Sequence, residues 1–321
     1  MLSMINKVVE VLKKSTSVGI TFHVSPDGDS LGSALALMLV LKKLGKEAYI
    51  VSSDKIPETY SFLPYLNSIM NEFRISENSL DSIVVLDCGN YERISAKIDF
   101  DKKEYTLVNI DHHISNDFYG DINFIDTKAS SVGELIFEIM KLLQVELDVD
   151  IATCIYTSIL SDTGGFKHSN TTSRTHSIVS ELLISGVKFS DIHRLIFENK
   201  KFNHIKLMGK VIDSSYLAFS NQVCVMKFTK KMLENLNIEL TDTSYLVDLG
   251  MNIDSVEAAV LIKECDECVK VSLRSKSFLD VRKIAESFGG GGHIRAAGAT
   301  LKIGVKEAED VILKVIEKEL I

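Results

Sequence analysis

The sequence predicts an α/β fold, with a doubly wound parallel sheet in an N-terminal domain and a smaller α+β domain carrying a mixed sheet after it. Three observations carry this reading. Short apolar runs alternate with helix-like segments through the first half, which is the βαβ grammar of a parallel sheet. Three of those runs lead into acidic or imidazole side chains, and open α/β sheets bind ligands beyond the carboxyl ends of their strands. After about residue 190 the alternation gives way to paired strand-like runs joined by short polar turns.

The first strand-like run, Val18 to Val24, contains His23 and leads into Ser25-Pro26-Asp27-Gly28-Asp29-Ser30. Leu31, Ala34, Leu35, Met38, Leu41 and Leu44 then recur at helical spacing, and Gly45 supplies a stop. Glu47 to Ser52 reads as a strand, Ser82 to Leu86 as another that ends at Asp87, and Tyr105 to Ile110 as a third that delivers Asp111-His112-His113. Ser131-Val132-Gly133-Glu134 has the pattern of a capping box opening a helix to Leu143. Ile151 to Leu160 is an apolar helix running into Ser161-Asp162. The expected domains are residues 1–188, a linker helix over 189–212, rich in Lys and Asn, and residues 213–321. In the last of these, Tyr216 to Phe219 and Gln222 to Phe228 form a pair turning at Ser220-Asn221. Val256 to Lys263 and Val269 to Arg274 flank Cys265-Asp266-Glu267-Cys268, which reads as a hairpin turn. A helix over Val281 to Phe288 precedes Gly289 to Gly292 and His293, and Lys306 to Leu320 closes the chain as an amphipathic helix.

The chain of 321 residues is longer than one average domain, and both expected domains are large enough to bury a core. With 45% hydrophobic and 25% charged residues, three prolines and no tryptophan, it has the composition of a soluble globular protein. No apolar run reaches the roughly 20 residues of a membrane span, and Met1 to Lys14 lacks the apolar centre of a signal peptide, so a cytoplasmic location and no membrane partner are expected. The net charge of −8 argues against a broad basic surface for long duplex nucleic acid, though not against a small anionic substrate. Five cysteines, an odd number, do not suggest a disulfide framework.

Asp27 and Asp29 sit two apart in a glycine-containing turn before a helix. With His23, Asp87, Asp111, His112, His113 and Asp162 they assemble five carboxylates and three imidazoles at strand and helix ends. Any one of them alone reads as a cap, a turn residue or an ordinary surface histidine. Together in one pocket the acids would repel one another and raise their pKa values, a cost that two divalent ions remove. Mixed Asp and His ligands without thiolate fit Mn²⁺ best, with Mg²⁺, Co²⁺ or Zn²⁺ as lesser fits. Two ions about 3.5–4 Å apart are a common device for displacement at phosphorus. From the residues alone, Arg274 reads as a strand-surface charge. The tetraglycine reads equally as a flexible loop or as a place where the backbone approaches a ligand, the latter favoured by His293 and the small residues Ala296-Ala297-Gly298.

These motifs carry a resemblance. His23-x-x-x-Asp27-x-Asp29-Ser30, Asp87-Cys88-Gly89, Asp111-His112-His113 and Ser161-Asp162-Thr163-Gly164 resemble, in order and setting, the four motifs of DHH phosphoesterases. Gly289 to Gly292, His293 and Ala296 to Gly298 resemble the signature of the DHH-associated C-terminal domain. Ser169-Asn170-Thr171-Thr172 and Val271 to Lys276 look like the NrnA-like subgroup of oligoribonucleases and pAp phosphatases. The resemblance implies a DHH domain, a connecting helix and a substrate-binding domain, with the active site in the cleft between domains. It implies one Mn²⁺ on His23, Asp27 and Asp87 and the other on Asp29, Asp87, His112 and Asp162. It also implies His113 on the scissile phosphate, Asp111 as its support, and Arg274, Ser275, Gly291, Gly292 and His293 on the nucleotide. The implied substrates are short single-stranded RNA, pAp or dinucleotides, and a homodimer is an assembly it allows. Lys167 and His168 depart from the Arg and aromatic residue common there, which bears on substrate preference. The alternatives are a hydrolase of the linear dinucleotide pApA, a RecJ-like exonuclease, an inorganic pyrophosphatase and a nucleotide-binding regulator with a dead metal site.

Overall fold

The computed structural model describes residues 2–71, 80–97, 104–234, 236 and 243–320. The chain divides into two compact units, Met1–Asn199 and Lys200–Ile321.

In the first unit, α1 (Leu2–Lys14) precedes β1 (Ser17–Phe22), α2 (Gly28–Lys43), β2 (Glu47–Ile50), β3 (Ser82–Leu86), β4 (Thr106–Asp111) and β5 (Ile122–Ile125). Then follow α3 (Val132–Leu142), α4 (Val149–Asp162), α5 (Ser173–Ile184) and α6 (Phe189–His193). The five strands form a parallel sheet in the order β2-β1-β3-β4-β5. β3 is buried at every position, which is why its sequence is a continuous apolar run and not an alternation. Val84 and Leu86 point into the main core with α2, α3 and α4, while Ile83 and Val85 enter a smaller cluster with Leu80, Cys88, Tyr105 and Leu107. α2 lies inside the unit and is buried from Gly28 to Leu41. It crosses α4 so closely that a Cβ on Gly32 would stand 2.4 Å from the Cys154 carbonyl oxygen.

In the second unit the elements are α7 (Phe202–Asp213), β6 (Tyr216–Ala218), β7 (Val223–Phe228), α8 (Lys230–Leu233), α9 (Asp248–Met251), β8 (Ala258–Glu264) and β9 (Val269–Ser275). After these come α10 (Val281–Glu286), β10 (Gly291–His293), β11 (Ala296–Leu301) and α11 (Val305–Glu319). The mixed sheet runs β10-β11-β9-β8-β7-β6, with β7 and β8 parallel and the other neighbours antiparallel. Alternate residues of its central strands serve two cores. Val223, Val225, Ala258 and Val260 pack with α10 and α11, and Cys224, Met226, Ala259 and Leu261 pack with Leu207 and Val211 of α7.

Two expectations are corrected. The stretch read as one linker helix over 189–212 is α6, a π-helical turn at Arg194–Glu198, a break, and then α7, whose Leu207 and Val211 are buried in the second unit's core. The capping box at Ser131 does not form. Glu134 instead turns into the protein and accepts hydrogen bonds from Ser130 and Thr175, and the Ser131 side chain makes no cap. The Cys265–Cys268 segment is a hairpin turn as expected, with the Cys265 N–H donating to the Cys268 carbonyl at 3.0 Å, and both thiols are free. No helix among the described residues is long and apolar enough to cross a membrane.

The α2–α4 seam gives a test. Gly32→Ala forces a methyl group against backbone that is itself locked in a helix, so unfolding free energy should fall by about 1–3 kcal/mol in urea titrations. An unchanged midpoint would mean that the helices can part without loss.

Candidate metal centre

The strand order places β1 and β3 side by side, while the chain leaves β1 toward β2 on one side and β3 toward β4 on the other. At such a switch point the connections diverge and a crevice opens beyond the strand ends. His23 and Asp87 each stand immediately after one of these two strands, and Asp111 ends β4. Asp87 has a left-handed backbone, φ 52°, and its N–H still donates to the Ile110 carbonyl. A non-glycine residue holds that conformation only where its surroundings dictate it.

The turn brings the Asp87 carboxylate among three imidazoles. Its Oδ2 lies 3.2 Å from His23 Nε2, and its Oδ1 lies 3.6 Å from His112 Nε2 and 3.6 Å from His113 Nδ1. His23 Nε2 is 3.7 Å from Asp27 Oδ1, and His112 Nε2 is 3.6 Å from Asp29 Oδ2 and 3.7 Å from Asp162 Oδ2. Ligand-type atoms therefore gather in overlapping groups, each within 4.8 Å. One is His23, Asp27 and Asp87, another is Asp29, His112 and Asp162, and a third is Asp87, Asp111, His112 and His113.

Each ligand-type side chain is held from behind. His23 Nδ1 donates to the Val24 carbonyl at 2.8 Å and His112 Nδ1 to the Ala129 carbonyl at 3.2 Å, which turns each Nε2 toward the carboxylates. Asp27 caps α2 through the N–H groups of Asp29 and Ser30. Asp29, 1% exposed, accepts from Ser158 at 2.6 Å, from Ser33 at 3.0 Å and from the Val132 N–H at the start of α3 at 2.9 Å. Asp111 is fully buried. Its Oδ1 accepts from the His112 N–H at 2.8 Å and from His113 Nδ1 at 2.7 Å, and its Oδ2 accepts from Asn116 at 2.6 Å. Asp162 is braced by Asn170, whose amide reaches both the Asp162 carbonyl and its carboxylate. Ser33, Asn116, Ser158 and Asn170 carry no spacing that marks them in advance, although Asn170 lies in the Ser-Asn-Thr-Thr segment that resembles the family.

The protonation states show the strain of this gathering. Burial and then the Asp29 charge raise Asp87 well above the usual carboxylate range, and the same causes push Asp162 up to about 7. Burial also raises Asp29. Burial opposes charge on His23, but hydrogen bonds to Asp27 and Asp87 outweigh it and push the imidazole up to about 11. His112 is likewise desolvated, yet Asp29, Asp162 and Asp87 lift it to about 9. The Asp111 hydrogen bond raises His113, and burial of Asp111 is outweighed by that same contact, which holds the acid below its ordinary value. Buried oxygens with inward-facing Nε2 atoms suit hard or borderline divalent cations, and this is a divalent-cation site.

The residues expected on the nucleotide lie in the second unit. Arg274, Ala296 and His293 stand in one register row across β9, β11 and β10, so their side chains share a face. Arg274 Nε pairs with Asp248 at 3.3 Å. Ser275 is buried and its hydroxyl donates to the Leu279 carbonyl at 2.6 Å, so it fixes the loop and offers no free hydroxyl. A Cβ on Gly292 would meet the Ala296 carbonyl at 2.5 Å, and one on Gly290 the Gly298 carbonyl at 2.2 Å. Close pairing with β11 thus already requires two of the four glycines, whereas Gly291 faces open space.

Residues 17–159 match the DHH family, N-terminal domain, and residues 221–321 match the DHHA1 domain. The chain belongs to the DHH family. It is 33% identical over 316 residues to the bifunctional oligoribonuclease and PAP phosphatase NrnA of Thermus thermophilus, covering 98% of this chain and 93% of that one. It is also 33% identical over 286 residues to the NrnA of Bacillus subtilis, with 87% of each chain covered. The chain is similar in structure to an exopolyphosphatase-related protein from Bacteroides fragilis, with a TM-score of 0.90 and 26% identity, covering 99% of this chain and 96% of that one. Likeness to RecJ of Thermus thermophilus, at 11% identity and a TM-score of 0.52, covers 98% of this chain and 54% of RecJ and shows the fold alone.

The raised pKa values predict how cations bind. An imidazole must be neutral to donate its lone pair, so at pH 7 a cation displaces protons from His23 and His112. Affinity should rise between pH 6 and pH 9, by about tenfold per pH unit for each proton displaced, and calorimetry in buffers of different ionisation enthalpy should show proton release. A pH-independent affinity would contradict the protonated resting state.

Proposed function

We propose that this protein is a phosphoesterase that hydrolyses short oligoribonucleotides to 5′-mononucleotides and removes the 3′-phosphate of pAp. The observation that carries the reading is the shared carboxylate of Asp87, with one oxygen turned to His23 and the other to His112. Two relatives at 33% identity over nearly the whole chain bear the name oligoribonuclease and PAP phosphatase, which favours this substrate pair over pApA turnover, DNA exonuclease or pyrophosphatase activity.

In this reading His23, Asp27 and Asp87 hold one cation and Asp29, Asp87, His112 and Asp162 a second, with Mn²⁺ as the working ion. Bound divalent cations supply Lewis acidity toward phosphoryl oxygens and acidify water. The protein's own groups do the rest. His113 is partly exposed, and its Nδ1–H is committed to Asp111, so a protonated Nε2 is free to donate to the scissile phosphate as negative charge develops. Asp111 aims that imidazole and favours its protonated form. Arg274, Gly291, Gly292 and His293 bind the nucleotide and its non-scissile phosphate, with the Arg274 guanidinium exchanging its exposed Asp248 partner for phosphate oxygens. Functionally, residues 1–188 belong to the catalytic domain and 213–321 to the binding domain, whose core also takes in α7. Five free cysteines accord with a cytoplasmic setting.

Asp87→Ala and His112→Ala should each lower kcat by at least about a hundredfold on both substrates while leaving the fold intact by circular dichroism. Arg274→Ala should chiefly raise KM for nucleotides. The deciding measurement is kcat/KM with Mn²⁺ and with Mg²⁺ across pAp, pApA, RNA of two to five nucleotides, longer single-stranded DNA and pyrophosphate. A preference for pyrophosphate or for long DNA would overturn the substrate assignment.

A further inference from the structure

Three residues of the centre rest on one short segment between β5 and α3. The Ala129 carbonyl accepts from His112 Nδ1, the Ser130 carbonyl accepts from Asn170, which also holds Asp162, and the Val132 N–H donates to Asp29. His112, Asp162 and Asp29 are the members of one ligand group. The supporting contacts of His23, Asp27 and Asp87 come from Val24, the Asp29 and Ser30 N–H groups and the β3–β4 ladder instead. Apart from the Asp29 N–H, the two halves of the centre therefore have separate supports.

One side chain ties the two ends of this segment to each other. Arg174 of α5 places Nη1 2.8 Å from Asp126 Oδ2, Nε 3.3 Å from Glu134 Oε2 and Nη2 2.9 Å from Glu138 Oε1. Asp126 and Glu134 are buried, and each grips the segment on its other oxygen. Asp126 Oδ1 accepts from the Lys128 N–H, its carbonyl accepts from the Ala129 N–H, and Glu134 Oε1 accepts from the Ser130 hydroxyl. The guanidinium thus joins the two ends of the loop that aims His112 and Asp29, by a hydrogen bond to Asp126 and an ion pair with Glu134. A lysine, as a single point charge, does not span both carboxylates in the same way.

We propose that Arg174 is a positioning residue for one of the two cations, the one on Asp29, His112 and Asp162, and not for the one on His23 and Asp27. The inference rests on the two-cation reading above. Removing Arg174 alone would strand two buried carboxylates, so the first variant is the double substitution Arg174→Gln with Glu134→Gln, which also neutralises one of them. Mn²⁺ is titrated into the full-length protein by calorimetry, alongside thermal unfolding without metal and kcat and KM on pAp as a function of Mn²⁺.

The expected result is a two-site isotherm in which one affinity falls by about 10–100-fold and the other stays. Excess Mn²⁺ should restore kcat with KM for pAp unchanged, and Glu138→Gln should leave both sites as they were. Two unchanged affinities in a folded variant, or two that fall together, would overturn the inference. If the double variant does not fold, Asp126→Asn, which loosens the same loop without stranding a charge, is read by the same criteria. A single cation in the unsubstituted protein would overturn the two-cation reading instead. The role of Arg174 would then be read from whether that one affinity falls.

Discussion

Asp87 sits at the meeting point of two effects that act in the same direction. It is buried, and burial alone drives a carboxylate toward its neutral form. It also has Asp29 close by, which drives it further the same way. His23 and His112 relieve part of this as imidazolium ions, so the protein balances the acids with its own protons when no cation is bound. Most of the first unit's local architecture follows from keeping this arrangement in register. The left-handed turn after β3 sets the carboxylate, the carbonyls of Val24 and Ala129 set the ring tautomers, and Asp111 with Asn116 fixes the loop after β4.

The ligand-type residues were legible in the sequence because strands announce their own ends. An apolar run that stops at Asp87, or at Asp111-His112-His113, fixes both where the sheet ends and which groups stand there. The strand pairs of the second unit were legible for a similar reason, since Ser220-Asn221 and the Cys265–Cys268 turn interrupt apolar runs at hairpin spacing. The supporting residues were not legible. Ser158 lies among the apolar and small polar residues of α4 and reaches Asp29 across more than a hundred residues of chain, a relation that exists only after α2 and α4 pack. Glu134 illustrates the same limit in reverse. Its spacing from Ser131 satisfies a local capping pattern, but Ser130, Thr175 and Arg174 offer it better-placed partners from tertiary structure. β5 escaped notice because a four-residue strand, Ile122–Ile125, with an asparagine inside it, has too little pattern to register. The supposed linker helix looked uniform because α6 and α7 are both amphipathic and the break between them has no proline or glycine.

The second unit shows how one feature can have two causes. The glycine run before His293 suggests a ligand cradle, yet Gly290 and Gly292 are already required by the close approach of β11, which would exclude any side chain there. The register row of Arg274, Ala296 and His293 has a small residue at its centre. In the proposed reading packing and recognition share this run, so a substitution in it would report on both.

The centre also has a temporal aspect, because its parts are spread along the chain from residue 23 to residue 162, with the Arg174 fork later still. During synthesis the early acids leave the ribosome long before their partners on α3, α4 and α5, and they remain hydrated until those helices arrive. The nascent chain therefore carries no assembled cation site until the whole first unit, through α5, has been made and has closed.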